Sequence, residues 1–323
     1  MPSPDLSELQ KKPGKGGLIV LVGPTAVGKT ETAVQLALRL CGEIISADSR
    51  LFYRGMDIGT AKPSLQERQG VPHHLIDIAD PDETLSLAVF QRLARQALVE
   101  IWSRDRLPIL VGGTGQYTRA VTQGWEVPPV QPDPRLRAAL EVWEKEIGKE
   151  GLHARLAVLD PAAATAIDAR NVRRTVRALE VILTTGRRFS DQRSSAPPDF
   201  PSLTIGLARP RDELYLRLDR RIDAMLEAGF VQEVERLLAQ GYSPDLPTLS
   251  AIGYGEIAAY FLGEITLDEA VALIKRRTRI FVRRQANWFK PDDPHIHWFP
   301  AGEENLAQIE LFIRYWLSNH LTS

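Results

Sequence analysis

The chain has 323 residues, 44% of them hydrophobic and 25% charged, with 40 basic against 41 acidic side chains. That balance belongs to a globular chain with a substantial core, long enough for about two domains. A formal net charge of −1 excludes a global basic field, so any nucleic-acid partner must be held by local patches.

Met1 to Gly17 is rich in Pro, Lys and Gly, lacks the apolar core of a signal peptide, and reads as a flexible leader. No apolar run approaches the ~18 residues that a membrane span needs. The single cysteine, Cys41, excludes an internal disulfide framework and suits a reducing compartment. It is expected as a small buried residue near a helix end, in a cytoplasmic protein with no membrane partner.

Leu18 to Val22 is fully apolar, as in a parallel strand covered on both faces. A glycine-rich turn follows, and Glu31 to Leu40 has helical periodicity through Ala33, Leu36, Ala37 and Leu40. Glu43 to Ala47 is a second strand ending at Asp48. A helix from Leu87 to Arg104 precedes a third strand, Leu107 to Val111, which runs into Gly112-Gly113. Alternation of this kind predicts a doubly wound parallel sheet. Four prolines between Glu126 and Pro134 mark a boundary. Arg135 to Gly186 is helical throughout, Arg187 to Ser202 is a Ser/Pro-rich loop, and Leu203 to Leu207 is a strand returning to the sheet. Helices are expected from Arg211 to Gln240 and from Glu256 to Phe289. The organisation predicted is a leader (1–17), a first core part (18–125), an inserted helical domain (126–202) and a return to the core with C-terminal helices (203–323).

Gly23-Pro24-Thr25-Ala26-Val27-Gly28-Lys29-Thr30 fits the Gly-x-x-x-x-Gly-Lys-Thr pattern between a strand and a helix, the context that gives this motif its meaning. Loop N–H groups and the helix N-terminus present partial positive charge to phosphate oxygens. Lys29 adds a full charge, and the Thr30 hydroxyl can ligate Mg²⁺. The loop alone suggests a nucleotide-binding, ATP-type site. Yet the third strand ends in Gly112-Gly113-Thr114, without the acidic residue that such enzymes place there. The acid follows the second strand instead, as Asp48. Two readings of it stay open: a carboxylate that holds metal or takes a substrate proton, and a turn or helix cap.

Arg170, Arg173, Arg174 and Arg177 recur at helical spacing on one face, with Val172, Val176, Leu179 and Leu183 on another. Arginines without interleaved acids favour phosphate contacts over a merely solvated face. Lys275 to Lys290 carries seven basic residues and no acid, interspersed with Phe281, Trp288 and Phe289. Arg276, Arg279 and Arg283 share a face there; aromatics beside arginines can stack unpaired bases, or simply form core. Arg211, Arg217, Arg220 and Arg221 form a third group, suited to clamp a diphosphate or to pair at the surface.

Taken together, the motifs from about Leu18 to Trp298 resemble the tRNA dimethylallyltransferases. They stand as the glycine loop, Ser46 to Ser49, Tyr53 to Pro63, His73 to Asp77, Gly112 to Tyr117, Arg177 to Val181, Ala251 to Tyr254, and Arg284-Gln285 followed by Trp288-Phe289. The resemblance implies an α/β protein with a P-loop NTPase-like doubly wound parallel sheet core and an inserted all-helical domain. It implies transfer of a dimethylallyl group from dimethylallyl diphosphate to N6 of the adenine 3′-adjacent to the anticodon in tRNA. On that reading Gly23 to Thr30 holds the diphosphate, Mg²⁺ sits on Thr30, and Thr25 lies near the leaving oxygen. Asp48 matches the general base, and Arg211 and Arg217 match arginines near the diphosphate. A flipped adenine would lie along Asp48, Ser49, Arg50, Leu51, Thr114 and Tyr117. The anticodon stem-loop would be gripped by Arg137, by Arg173, Arg174, Thr175, Val176 and Arg177, by Ser250, Ala251, Ile252, Gly253, Tyr254 and Gly255, and by Arg283, Arg284 and Gln285. The chain is expected to act as a monomer. Gln116, Gly255 and Asn287 depart from the family pattern and bear on RNA contact rather than on the reaction.

Three other readings fit less of the sequence. A small-molecule kinase would want an acid after Val111. An enzyme that prenylates free adenine nucleotides would not need a basic helical insertion. An RNA-binding module with a vestigial loop would not need Lys29, Thr30 and Asp48.

Overall fold

The computed structural model describes residues 16–125, 128, 130, 132–192 and 198–320, so most of the leader lies outside the described residues. Six strands run β1 (Leu18–Val22), β2 (Gly42–Ser46), β3 (His73–His74), β4 (Leu107–Gly112), β5 (Ser202–Ala208) and β6 (Ile296–Pro300). They form one sheet in the order β3-β2-β4-β1-β5-β6, and each pairing is parallel. The wholly apolar β1 lies near its centre, where both faces are covered and every residue is buried.

The described helices are α1 (Lys29–Leu40), α2 (Leu65–Arg68), α3 (Leu87–Ser103), α4 (Gly115–Thr122), α5 (Pro134–Leu159), α6 (Pro161–Ala166), α7 (Val172–Thr185), α8 (Arg211–Glu227), α9 (Phe230–Ala239), α10 (Tyr254–Phe261), α11 (Leu267–Gln285) and α12 (Leu306–His320). Two compact units result: one of residues 16–85, 92–119 and 199–320, which holds the sheet, and a helical one of residues 86–91 and 120–198.

In the sheet unit, Ala33, Val34, Leu36 and Ala37 of α1 share a core with Leu214 and Leu218 of α8 and Ile309 and Ile313 of α12. Each fully buried aliphatic side chain there contributes about 1.5–3 kcal/mol of transfer free energy. In the helical unit, Leu140, Leu152 and Leu156 of α5 pack with Val176 and Leu179 of α7. Buried Asp160 caps α6 through Ala163 N–H and also accepts from the Ser190 N–H and hydroxyl.

Several expected elements are interrupted, each for a local reason. The stretch 135–186 is broken at three places: α5 kinks at Gly148, where φ is 76°, Pro161 starts a new helix at its first position, and Asn171 caps another. The stretch 211–240 breaks before Gly229, whose φ of 96° only glycine adopts readily. A Thr266/Glu269 capping box opens α11 afresh, and that helix stops at Gln285 rather than Phe289. Short β3, edge strand β6 and α12 were not legible in the pattern. Cys41 is exposed rather than buried: it ends α1 with φ 52°, its N–H bonded to Ala37 O, and the left-handed turn points its side chain outward. Among the described residues no helix is long and apolar enough to cross a membrane.

Candidate active site

Parallel β1 delivers the chain to the C-terminal edge of the sheet, the edge where open α/β sheets hold ligands. The glycine loop lies there, between β1 and α1. Gly23 has φ 150°, and a Cβ on it would stand 2.7 Å from Leu207 O. Gly28 caps α1 at φ 111°, and Ala26 is left-handed at φ 64°. Backbone bent in this way turns successive N–H groups toward one point, a nest for an anion.

Lys29 Nζ donates to Gly23 O at 3.0 Å and to Pro24 O at 2.8 Å. Desolvation pulls its pKa down to about 8; Asp48 opposes that shift and Arg221 reinforces it. An ammonium held among neutral carbonyls keeps its charge available to an anion. Thr30 is exposed on the first turn of α1.

Three further side chains brace the loop. Arg217 Nε donates to Ala26 O at 3.0 Å and Arg209 Nε to Val27 O at 2.9 Å. Gln285 Oε1 accepts from Thr25 N at 2.9 Å while its Nε2 donates to Gly113 O at 3.0 Å. Gln285, expected to touch RNA, is thus a buried brace of the loop. Arg211 departs from expectation: its Nε donates to the Tyr215 hydroxyl at 2.9 Å and its guanidinium stacks on that ring. Arg209 was overlooked, although a signal existed. Because Val22 is in register with Gly206, residues just beyond β5 must come up beside the loop that follows β1.

Asp48 lies in a turn, as one of its two readings expects. Its Oδ1 accepts from Arg50 N at 3.0 Å, which closes a turn, and its charge still acts on Lys29, Arg221 and Tyr117. Tyr117 is pushed up to about 12, chiefly by burial, and Ser49 hydrogen-bonds it. Its ring meets Phe52 edge-on at 5.7 Å. Asp48 to Leu51 and Tyr117 are therefore brought together at the end of the sheet, and Thr114 O caps the first turn of α4 beside them.

The residues expected to touch RNA divide sharply. Ser250, Arg283 and Arg284 are exposed, and Ile252 and Gly255 are half-buried. Ala251, Gly253 and Tyr254 are buried instead. Tyr254 OH donates to Glu233 Oε1 at 2.6 Å, and Glu233 also accepts from the N–H groups of Asp57, Ile58 and Gly59. Glu256 accepts from Gly253 N at 2.7 Å and pairs with Arg277. Burial and the Glu233 carboxylate hold Tyr254 far above the usual phenol range.

In the helical unit Arg173 and Arg174 are exposed, but Thr175 and Val176 face the core. Arg177 pairs with buried Glu180 at 2.6 Å, and Arg137 closes on the same carboxylate through two bonds of 2.9 Å. Arg170 precedes α7 and pairs with Asp168, and Leu183 is exposed rather than core. Phe281 is exposed too, whereas Phe289 is buried and Trp288 carries Arg119 over its ring.

A parallel sheet with a backbone nest after β1, a lysine in that nest and the charge of Asp48 acting on it is a P-loop-like α/β fold. The model of the IPP transferase family matches residues 51–292, and the chain belongs to that family. The glycine loop and Asp48 precede the matched span. A tRNA dimethylallyltransferase of Roseiflexus sp. is 54% identical over 301 residues, 93% of this chain and 98% of that protein. The crystal structure of a full-length tRNA isopentenylpyrophosphate transferase from Bacillus halodurans is similar with TM-score 0.71 at 43% identity, over 95% of this chain and 98% of the other. A eukaryotic dimethylallyltransferase acting on tRNA is similar at 27% identity with TM-score 0.78, over 96% of this chain and 81% of that one.

Proposed function

We propose that this chain transfers a dimethylallyl group from dimethylallyl diphosphate to N6 of the adenine 3′-adjacent to the anticodon in tRNA, releasing pyrophosphate. The observation that carries the reading is Lys29 held in the glycine nest with the Asp48 charge acting on it, in a chain of the IPP transferase family. N6 attacks the allylic carbon, the C–O bond to the diphosphate breaks, and the N6 proton passes to the Asp48 carboxylate. Charge grows on the departing pyrophosphate. Lys29 and the loop amides stabilise it, and Thr25 stands beside the leaving oxygen. Arg217, braced on the loop carbonyl of Ala26, adds positive charge at the same place.

Among the described residues no group of three or more His, Cys, Asp or Glu could cage a metal ion. The donor set at Thr30 instead suits Mg²⁺, which keeps several waters and binds through few protein ligands plus phosphate oxygens. When bound, the ion would neutralise diphosphate charge. Exposed Arg173, Arg174, Arg283 and Arg284 are the side chains available to RNA phosphates. A cytoplasmic, monomeric protein completes the proposal, and a reducing compartment suits the exposed free thiol of Cys41.

Incubation with labelled dimethylallyl diphosphate, Mg²⁺ and unmodified tRNA tests the reading: label enters tRNA with wild type and not with Asp48→Ala, which still binds pyrophosphate. Label in free AMP but none in tRNA would reassign the acceptor, and near-normal turnover by Asp48→Ala would remove Asp48 from the proton transfer.

A further inference from the structure

Helices α8 and α11 run antiparallel, and ion pairs lace their junction at one end: Asp223 with Lys275, then Asp219 with Arg279. Beyond those pairs Glu213 pairs with Arg209 and Asp212 is exposed, and neither acid lines the groove alongside the cations. Arg211, Tyr215, Lys275, Arg276, Arg279 and Arg283 line a groove of about 470 Å³. Tyr215 spaces two of its guanidinium groups, with Arg211 5.2 Å and Arg279 5.6 Å from the ring centre. Among the described residues no acid forms an ion pair with Arg211, Arg276 or Arg283, and in the Arg279–Asp219 pair both Arg279 Nε and Asp219 Oδ1 are buried without a hydrogen-bond partner.

The groove's uncompensated end adjoins the glycine loop. Arg283 lies two residues before Gln285, which binds Thr25 N, and Arg211 lies two residues after Arg209, which binds Val27 O. Clustered guanidinium groups held in place by an aromatic spacer match phosphate oxygens better than any neutral ligand. The volume suits a small polyphosphate.

We propose that this groove is a second anion site, an antechamber that takes inorganic pyrophosphate and the diphosphate head of the donor on their way to and from the glycine loop. For the donor this rests on the function proposed above; for inorganic pyrophosphate it does not. A focused positive field beside the loop raises the local concentration of the anion and its rate of arrival.

Calorimetric titration of the full chain with inorganic pyrophosphate should show two sites. Lys275→Ala with Arg276→Ala should remove one and Lys29→Ala the other. The double variant should also lower kcat/KM for dimethylallyl diphosphate about tenfold at low salt, with kcat unchanged and the deficit shrinking as salt rises. A single site, or a second site that survives the double substitution, overturns the proposal while a Lys29-dependent site leaves the proposed function standing. Loss of affinity for an anticodon stem-loop RNA with pyrophosphate binding intact also overturns it and gives the groove to RNA backbone. Conversely, a groove site without any Lys29-dependent site would count against the loop as the diphosphate grip.

Discussion

Around the glycine loop, Lys29 and Arg217 each donate to a backbone carbonyl (Arg209 does so too, but also pairs with Glu213), whereas in the helical unit Arg137 and Arg177 both close on the carboxylate of Glu180. A carbonyl orients a cation without neutralising it, so positive charge at the loop remains for a ligand. Glu180 is 0% exposed and takes up the charge it meets. The two regions look alike as basic sequence. They differ in what the cations can still do: one set is poised for an anion, the other fastens α5 to α7.

Four measurements would break or sharpen that contrast. The largest effect is expected from Lys29→Ala, which should lower kcat for transfer by about 10³-fold, as loss of a preorganised charge at a leaving group does. An unchanged rate would show that the loop lysine is as structural as Arg137. Next comes Glu180→Ala, which strands two arginines and should destabilise the protein by about 3 kcal/mol in urea unfolding. That is the low end for breaking a buried pair, because Arg137 is 37% exposed and screened. Arginine partners hold the Glu180 carboxyl below its ordinary value against the effect of burial. Its contribution should therefore be complete above the ordinary carboxylate range and lost as pH falls through the lowered value.

The third measurement uses pH at the loop. With Lys29 drawn down to about 8, the free protein's affinity for pyrophosphate should fall as pH rises through that value, and Lys29→Arg should flatten the profile because a guanidinium stays charged. The smallest effect is expected from Arg173→Ala with Arg174→Ala, the exposed pair on α7. Stability should be unchanged, while the slope of log affinity for tRNA against log salt falls by about 1 to 2. An unaltered slope would make that face solvated surface.

The loop was legible because its function and its spacing have one cause. A strand, an anion nest and a helix N-terminus in a fixed sequence interval require those glycines and that lysine, so the motif and the geometry coincide. The arginines of α7 were legible only as a periodicity, which says which face a residue shares and nothing about what faces it. Glu180 lies three residues beyond Arg177, past the end of the arginine stripe, and only the packing of α5 on α7 brings it to Arg137. Tyr254 and Ala251 were named for RNA on a motif. Both are buried, and Tyr254 is held inside because Glu233, some twenty residues upstream, gathers its hydroxyl and the 57–59 backbone around one carboxylate.

By itself, the sequence determined the parallel α/β core, the position of the anion nest and the candidate proton acceptor, since apolar runs and short-range backbone geometry are local properties of the chain. Tertiary structure alone decided which cations remain free. That depends on pairings such as Arg209 with the loop, Gln285 with Thr25 and Glu180 with Arg137, which join residues far apart in sequence. Adjacent parallel strands and packed helices create those neighbours, and no spacing rule along the chain contains them.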